Sequence, residues 1–138
     1  MNDPIVVVAA VVVDDGRIMA CRRRVGKVAA GKWEFPGGKV EPGETATQAL
    51  RREIREELAA EIAVGDELLT AETVVSNRTI RLACFWARLA GPRPTASADH
   101  DSIRWLRAAE LANLDWAAPD LPAVHVLAGL PEGRNPAS

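Results

Sequence analysis

Residues 38–60 read GKVEPGETATQALRREIREELAA, and the change of composition part-way along them decides how the chain is organised. Glu41-Pro42-Gly43 is a turn signal. From Thr45 the residues are mostly Ala, Leu, Gln, Arg and Glu, all good helix formers, which predicts a helix over residues 45–60. Thr45 followed three residues later by Gln48 fits a capping box, in which each side chain satisfies the other's exposed backbone N–H.

With Ala46 as zero and about 100° per residue, Ala49, Leu50, Ile54 and Leu58 fall at about 300°, 40°, 80° and 120°, forming one apolar stripe. Glu53 and Glu57 fall at about 340° and 20°, inside the stripe, and Glu56 lies on its edge at about 280°. Arg51 and Arg55 point away. An Arg/Glu-rich helix is most often a solvated charge run, and Arg52 with Glu56 at i, i+4 suits that reading. Glu53 and Glu57 do not: like charges at that spacing repel, and their inward position partly buries them. A hard divalent cation relieves both penalties, because magnesium takes oxygen ligands from carboxylates, water and phosphate.

The rest of the chain reads as strands around this helix. Residues 5–13 are rich in β-branched Val and stop at Asp14-Asp15-Gly16, a turn into a second run at 17–21, so a hairpin is expected. Residues 22–31 read as a loop, and Pro36 ends any strand through Trp33-Glu34-Phe35, with Gly37-Gly38 in a turn. A second hairpin is expected from residues 67–75 and 79–89 around Ser76-Asn77. After a loop at 91–101 come a short strand at 102–106, a short helix at 108–114 and a terminal helix at 121–129. Residues 1–130 read as one domain and 131–138 as a flexible tail.

Composition narrows the function. A chain of 138 residues with 48% hydrophobic content supports one buried core, and its net charge of −2 argues against a binder of nucleic acid polymers. Cys21 and Cys84 stand in no CxxC or Cys/His arrangement, so free thiols in a reducing cytoplasm are expected rather than a disulfide or zinc site. The apolar run at 5–13 is too short to span a bilayer.

Gly38, Glu44, Arg52, Glu53, Ile54, Glu56 and Glu57 match the Nudix box: a glycine, five residues, Glu, seven residues, then Arg-Glu-apolar-x-Glu-Glu. The sequence thus resembles the Nudix hydrolases. It departs from them at Ala59, where the family usually has Gly, so the turn ending the helix is expected to be made differently. The resemblance implies an α/β Nudix fold, an α/β/α sandwich with a central mixed sheet. It implies that Gly37 (by its carbonyl), Glu53, Glu56 and Glu57 hold Mg2+, with Mn2+ an acceptable substitute. It implies further that Glu53 is the base, that Arg52 orients the carboxylates, and that Glu44 supports them from outside the metal. Gly37 and Gly38 have a second reading as turn residues only.

Beyond the box, from the Val-rich first strand through Trp33-Glu34-Phe35-Pro36-Gly37-Gly38-Lys39 to Leu114-Asp115-Trp116-Ala117, the chain looks like the MutT branch and its relatives acting on CTP and dCTP. Carried over by position, Arg23, Glu34, Lys39 and Arg78 would contact substrate, Phe35 would pack on the base, Asp120 would read the base edge, and Asp99 would approach the metal. Each has a competing account: Arg22-Arg23-Arg24 as loop charge, Phe35 as core, Asp120 as a helix cap, and Asp99 as part of an exposed acidic loop. His100 and His125 read as structural, and Trp86 and Trp105 as core. The reaction implied is hydrolysis of a nucleoside triphosphate to monophosphate and pyrophosphate by a monomer or homodimer, serving nucleotide-pool sanitation (8-oxo-dGTP) or hydrolysis of CTP, dCTP or 5-methyl-dCTP. A hydrolase of ADP-ribose or dinucleoside polyphosphates, and a non-catalytic nucleotide-sensing module, are the alternatives.

Overall fold

The computed structural model describes residues 3–131. The chain runs β1 (Ile5–Asp14), β2 (Arg17–Arg23), β3 (Trp33–Glu34), β4 (Gly37–Lys39), α1 (Ala46–Leu58), β5 (Ile62–Val75), β6 (Arg78–Leu89), β7 (His100–Leu106), a 3-10 helix (Ala108–Asn113), a 3-10 turn (Ala118–Asp120) and α2 (Leu121–Ala128). The tail expected from residue 131 lies, beyond Pro131, outside the described residues. No helix among the described residues is long and apolar enough to cross a membrane.

The Val run of β1 is the middle of the sheet, whose order is β3-β2-β1-β6-β5, with β4 also on β1 and β7 on β2. β1 runs parallel to β6 and antiparallel to β2 and β4, so the sheet is mixed. Alternate residues of β1 enter different layers. Val8, Ala10 and Val12 pack with Leu50, Ile54 and Leu58 of α1; Ala9, Val11 and Val13 pack with Leu111, Val124 and Leu127 on the opposite face. A strand covered on both faces has no place for a polar residue, which is why its sequence is continuously apolar. The result is the expected α/β/α sandwich.

Both hairpins form as expected, on two-residue turns with positive φ at each central position: Asp15 (51°) with Gly16 (72°), and Ser76 (50°) with Asn77 (65°). Several boundaries differ from expectation. β2 continues to Arg23 because β3 and β7 pair with it beyond Cys21. β5 begins at Ile62, before the expected 67, since Ile62 to Val64 pair with the end of β6. Residues 108–113 are 3-10 rather than α-helical. Gly37 and Gly38 form no turn: they lie in β4, paired with Ala9 and Val8, and neither has a positive φ. Their role is close approach. A Cβ on Gly37 would stand 1.9 Å from the Val8 carbonyl oxygen. Trp86 is core as expected, whereas Trp105 is only partly buried, its ring covered by the Arg93 guanidinium at 4.4 Å.

α1 begins at the expected capping box: Gln48 N donates to Thr45 Oγ1 (3.1 Å) and Thr45 N to Gln48 Oε1 (2.9 Å). Its far end corrects one expectation. The terminating turn is of the usual left-handed kind, but Ala59 makes it, at φ 51° and ψ 36°, with its N–H on the Arg55 carbonyl. An L-residue with a Cβ pays about 1–2 kcal/mol for that conformation. Ala59 is exposed, so its methyl group buries nothing in return. Ala59→Gly is therefore expected to stabilise the protein by about 1 kcal/mol. Urea unfolding of the two proteins checks this; an unchanged or lower midpoint for the glycine variant would sink it.

Candidate active site

The inward helix face expected from periodicity is the one the fold buries. Ala49, Leu50, Ile54, Glu57 and Leu58 are buried, while Arg51, Arg55 and Glu56 are exposed. Arg52 donates hydrogen bonds to four residues and lies 3.8 Å from a fifth, Glu41. Its Nε and Nη2 grip the Glu44 carboxylate as a fork (2.7 and 2.9 Å), Nη1 reaches Glu53 (2.7 Å) and Glu56 (3.3 Å), and Nη2 also donates to the Lys39 carbonyl (3.1 Å). The guanidinium holds the Glu44 carboxyl below the usual carboxylate range. Glu44 also accepts from the Glu41 backbone N–H (2.9 Å), so one arginine joins the turn, β4 and the helix.

Gly38 makes room for Glu53. A Cβ on Gly38 would lie 2.4 Å from the Glu53 carboxylate, so the short strand and the helix can press this side chain between them only if residue 38 has none. One turn further on, Glu57 Oε2 is buried with no hydrogen-bond partner among the described residues. Burial is the main cause that pushes the Glu57 carboxyl up to about 9, and neighbouring Asp99, Glu34 and Glu53 act in the same direction. Asp99 reaches this point on the loop before β7, where Ala98 N donates to the Glu57 carbonyl (3.0 Å). The Lys27 ammonium, 3.0 Å away, holds the Asp99 carboxyl below its ordinary range.

Beside this acidic face lies a cleft of about 490 Å³. Arg23, Glu34, Phe35, Gly37, Gly38, Lys39 and Asp120 line it, so seven of the residues expected at the site, from separate segments, meet here. Phe35 turns out to be both core and wall: it is buried, its ring stacks on Trp116 at 4.7 Å, and it still lines the cleft. Asp120 does not cap α2. Its own backbone is helical (φ −85°, ψ −16°), and its Oδ1 accepts instead from the Phe35 backbone N–H at 3.0 Å. Burial pushes its carboxyl well above the usual range. Arg23 Nη1 donates to both oxygens of Glu34 at 3.1 Å. Its neighbours are held elsewhere, Arg22 by Asp101 and Arg24 by the carbonyls of Ser97 and His100.

Arg78 is the one expected contact that the fold leaves out. It starts β6 at a hairpin tip, exposed and outside the cleft lining, although its strand partner Val75 does line it. Among the described residues, no three His, Cys, Asp or Glu side chains converge on one point as they stand, because Glu53 is turned to Arg52 and Asp99 to Lys27. Residues that sequence reasoning missed are Val28, Ala29 and 117–119 on the cleft wall, Lys27 beside Asp99, and His100 behind Glu34. The apolar wall residues carry no chemical signal, and only the fold brings Lys27 and His100 to these carboxylates.

Comparison with known proteins identifies the family. The NUDIX domain family matches residues 3–127. A Mycobacterium tuberculosis protein provisionally named 8-oxo-dGTP diphosphatase 2 is 39% identical over 118 residues, 83% of this chain and 82% of that one. The CTP pyrophosphohydrolase of Escherichia coli K12 is 36% identical over 129 residues, covering 93% of this chain and 94% of its own. The solution structure of the MutT protein from methicillin-resistant Staphylococcus aureus 252 superposes with a TM-score of 0.72 at 40% identity, over 93% and 98% of the two chains. The chain belongs to the Nudix family, as a MutT-like hydrolase of the nucleoside triphosphate pyrophosphohydrolase class.

Two outcomes follow from the packing around the glutamates. Gly38→Ala is expected to fold, since the atom it meets is the end of a side chain, but to displace the Glu53 carboxylate and cut turnover roughly 100-fold. Circular dichroism and steady-state kinetics check this, and wild-type turnover would rule it out. Glu57, with a folded-state value of about 9 against 4.5 for the free group, binds more protons folded than unfolded between those values. In chelator-treated protein, stability should therefore fall as pH rises through that window, and Glu57→Gln should flatten the slope. Denaturant midpoints that do not decline toward alkaline pH would contradict it.

Proposed function

We propose that this protein catalyses the Mg2+-dependent hydrolysis of nucleoside triphosphates to the monophosphate and pyrophosphate. The observation that carries the reading is that the cleft and the acidic helix meet at Gly38, which lines the one and cradles Glu53 of the other. A base held in the cleft would thus place its phosphate chain against the glutamates.

The residues present fit a divalent cation. A buried carboxylate oxygen without a partner, on a carboxyl whose ionisation is opposed by burial and by three neighbouring carboxylates, is what a hard cation would satisfy. Glu53, Glu56 and Glu57, with the Gly37 carbonyl and Asp99, would hold it. When bound, Mg2+ neutralises charge on phosphate oxygens and orients water. Arg52 keeps the Glu53 carboxylate in place, and Glu53 accepts the proton of the attacking water. Lys39 and Arg23 supply positive charge at the cleft wall.

On the recognition side, Phe35 offers the base a ring already braced by Trp116. Asp120, held toward its neutral form by burial, can donate as well as accept at a base edge. Together with the names of the relatives, this supports 8-oxo-dGTP or CTP and its deoxy and 5-methyl forms as substrates, handled in the cytoplasm by a monomer or homodimer in the service of nucleotide-pool sanitation. A panel of nucleotides with Mg2+, scored for pyrophosphate against orthophosphate, tests the reading. Pyrophosphate release is expected, with Glu53→Gln losing roughly 10²–10⁴-fold of turnover while remaining folded. Cleavage of ADP-ribose to AMP, with no triphosphate yielding pyrophosphate, would overturn it.

A further inference from the structure

His100 is fully buried at the start of β7, yet both ring nitrogens are engaged. Nδ1 stands 2.7 Å from Ser97 Oγ, and Nε2 stands 2.7 Å from Glu34 Oε2. The direction of each bond follows from its neighbours. Ser97 Oγ already accepts from the Asp99 backbone N–H (3.3 Å), so its own proton is free to go to Nδ1. The Glu34 carboxylate also takes two contacts from Arg23, and as an acceptor it asks for a proton on Nε2. The chain therefore runs from Asp99 N–H through the Ser97 hydroxyl to Nδ1, then from Nε2–H to Glu34.

We infer that His100 is a positioning residue, an imidazole seated against Ser97 whose Nε2–H holds the Glu34 carboxylate in the nucleotide cleft and ties its placement to the loop carrying Asp99. Glu34 needs such a holder. It stands close enough to Asp120, Glu57 and Cys21 to disfavour ionisation of each, so where its carboxylate is held bears on all three. Arg23 at the end of β2 grips it, and so does its strand partner His100 at the start of β7. The loop is anchored at this point too, since Arg24 donates to the carbonyls of Ser97 (3.0 Å) and His100 (2.8 Å). Ser97 and His100 thus connect the wall that meets the base with the loop that meets the acidic helix.

The kinetic consequence rests on the nucleotide site proposed above; the imidazole geometry does not. Long-range 15N–1H NMR of the substrate-free protein, at a pH about two units above the ordinary imidazole pKa, reads the tautomer directly. A protonated Nε2 with a bare Nδ1 is expected in the wild type, and a mixture of tautomers in Ser97→Ala. A proton on Nδ1 with a bare Nε2 would overturn the inference. In kinetics, His100→Leu should raise KM roughly tenfold with little change in kcat, the loss of one hydrogen bond to a charged group. His100→Gln, which keeps a donor, should recover most of it. In a Glu34→Ala background the His100 substitution should add less than about twofold. A full effect without Glu34, or a fall in kcat alone, would show mere packing. If His100→Leu does not fold, Ser97→Ala, partly exposed on its loop, supplies the same comparison. If the wild type turns over no nucleotide, the functional reading fails while the tautomer still decides the geometry.

Discussion

Everything at this site depends on holding like charges close together, and the Arg52 guanidinium is the group that makes this tolerable. Its planar fork satisfies Glu44 completely and touches Glu53 and Glu56 with the same nitrogen, while a bond to the Lys39 carbonyl fixes its own position. A lysine could balance the charge but could not span these partners. Glu57 lies on the far side of Glu53 from this arginine and gains nothing from it, which leaves its buried oxygen without a partner. The site is neutralised on one flank and acidic on the other, an asymmetry that suits a cation arriving with an anionic substrate.

The sheet sets up that asymmetry. β1 is shared along one edge between β4 at Val7 to Ala9 and β2 at Val13 to Asp14. Between the two pairings the chain passes through Phe35 and Pro36, and Ala10 N donates to the Pro36 carbonyl at 2.8 Å. β4 is thereby pressed against β1 on one side and the helix on the other, too tightly for any side chain at residues 37 and 38. The pair of glycines is a packing requirement on both sides of a thin strand, and the cleft opens where β2 diverges.

The helix, its capping box, its inward acids and both hairpins were legible because each is encoded locally, by periodicity or by a two-residue turn. The expectation at Ala59 failed because a missing glycine was read as a turn of another kind, whereas an alanine takes the same left-handed conformation here. Gly37 and Gly38 looked like a turn since flexibility and close approach call for the same residue. Asp120 sits where a cap belongs, and only the helical conformation of its own backbone shows that it cannot act as one. His100 was passed over as structural because a buried histidine carries no signal of what its two nitrogens face.

The two halves of the site are encoded differently, and this bears on how such an enzyme can change substrate. The acidic half is contiguous in sequence, its residues locked by one arginine and one glycine, so that few positions can change without scattering the carboxylates. The cleft half is assembled from β2, the segment around Glu34 and Phe35, and the residues before α2, joined by hydrogen bonds such as Phe35 N to Asp120 and Arg23 to Glu34. On the proposed reading, discrimination between bases would rest on a few polar groups placed by these long-range contacts. A substitution there can alter which base fits while the geometry at Glu53 stays as it is. The carboxyl groups of Glu34, Glu57 and Asp99 lie close enough to act on one another across the two halves, so changes that affect recognition and chemistry together should concentrate around them.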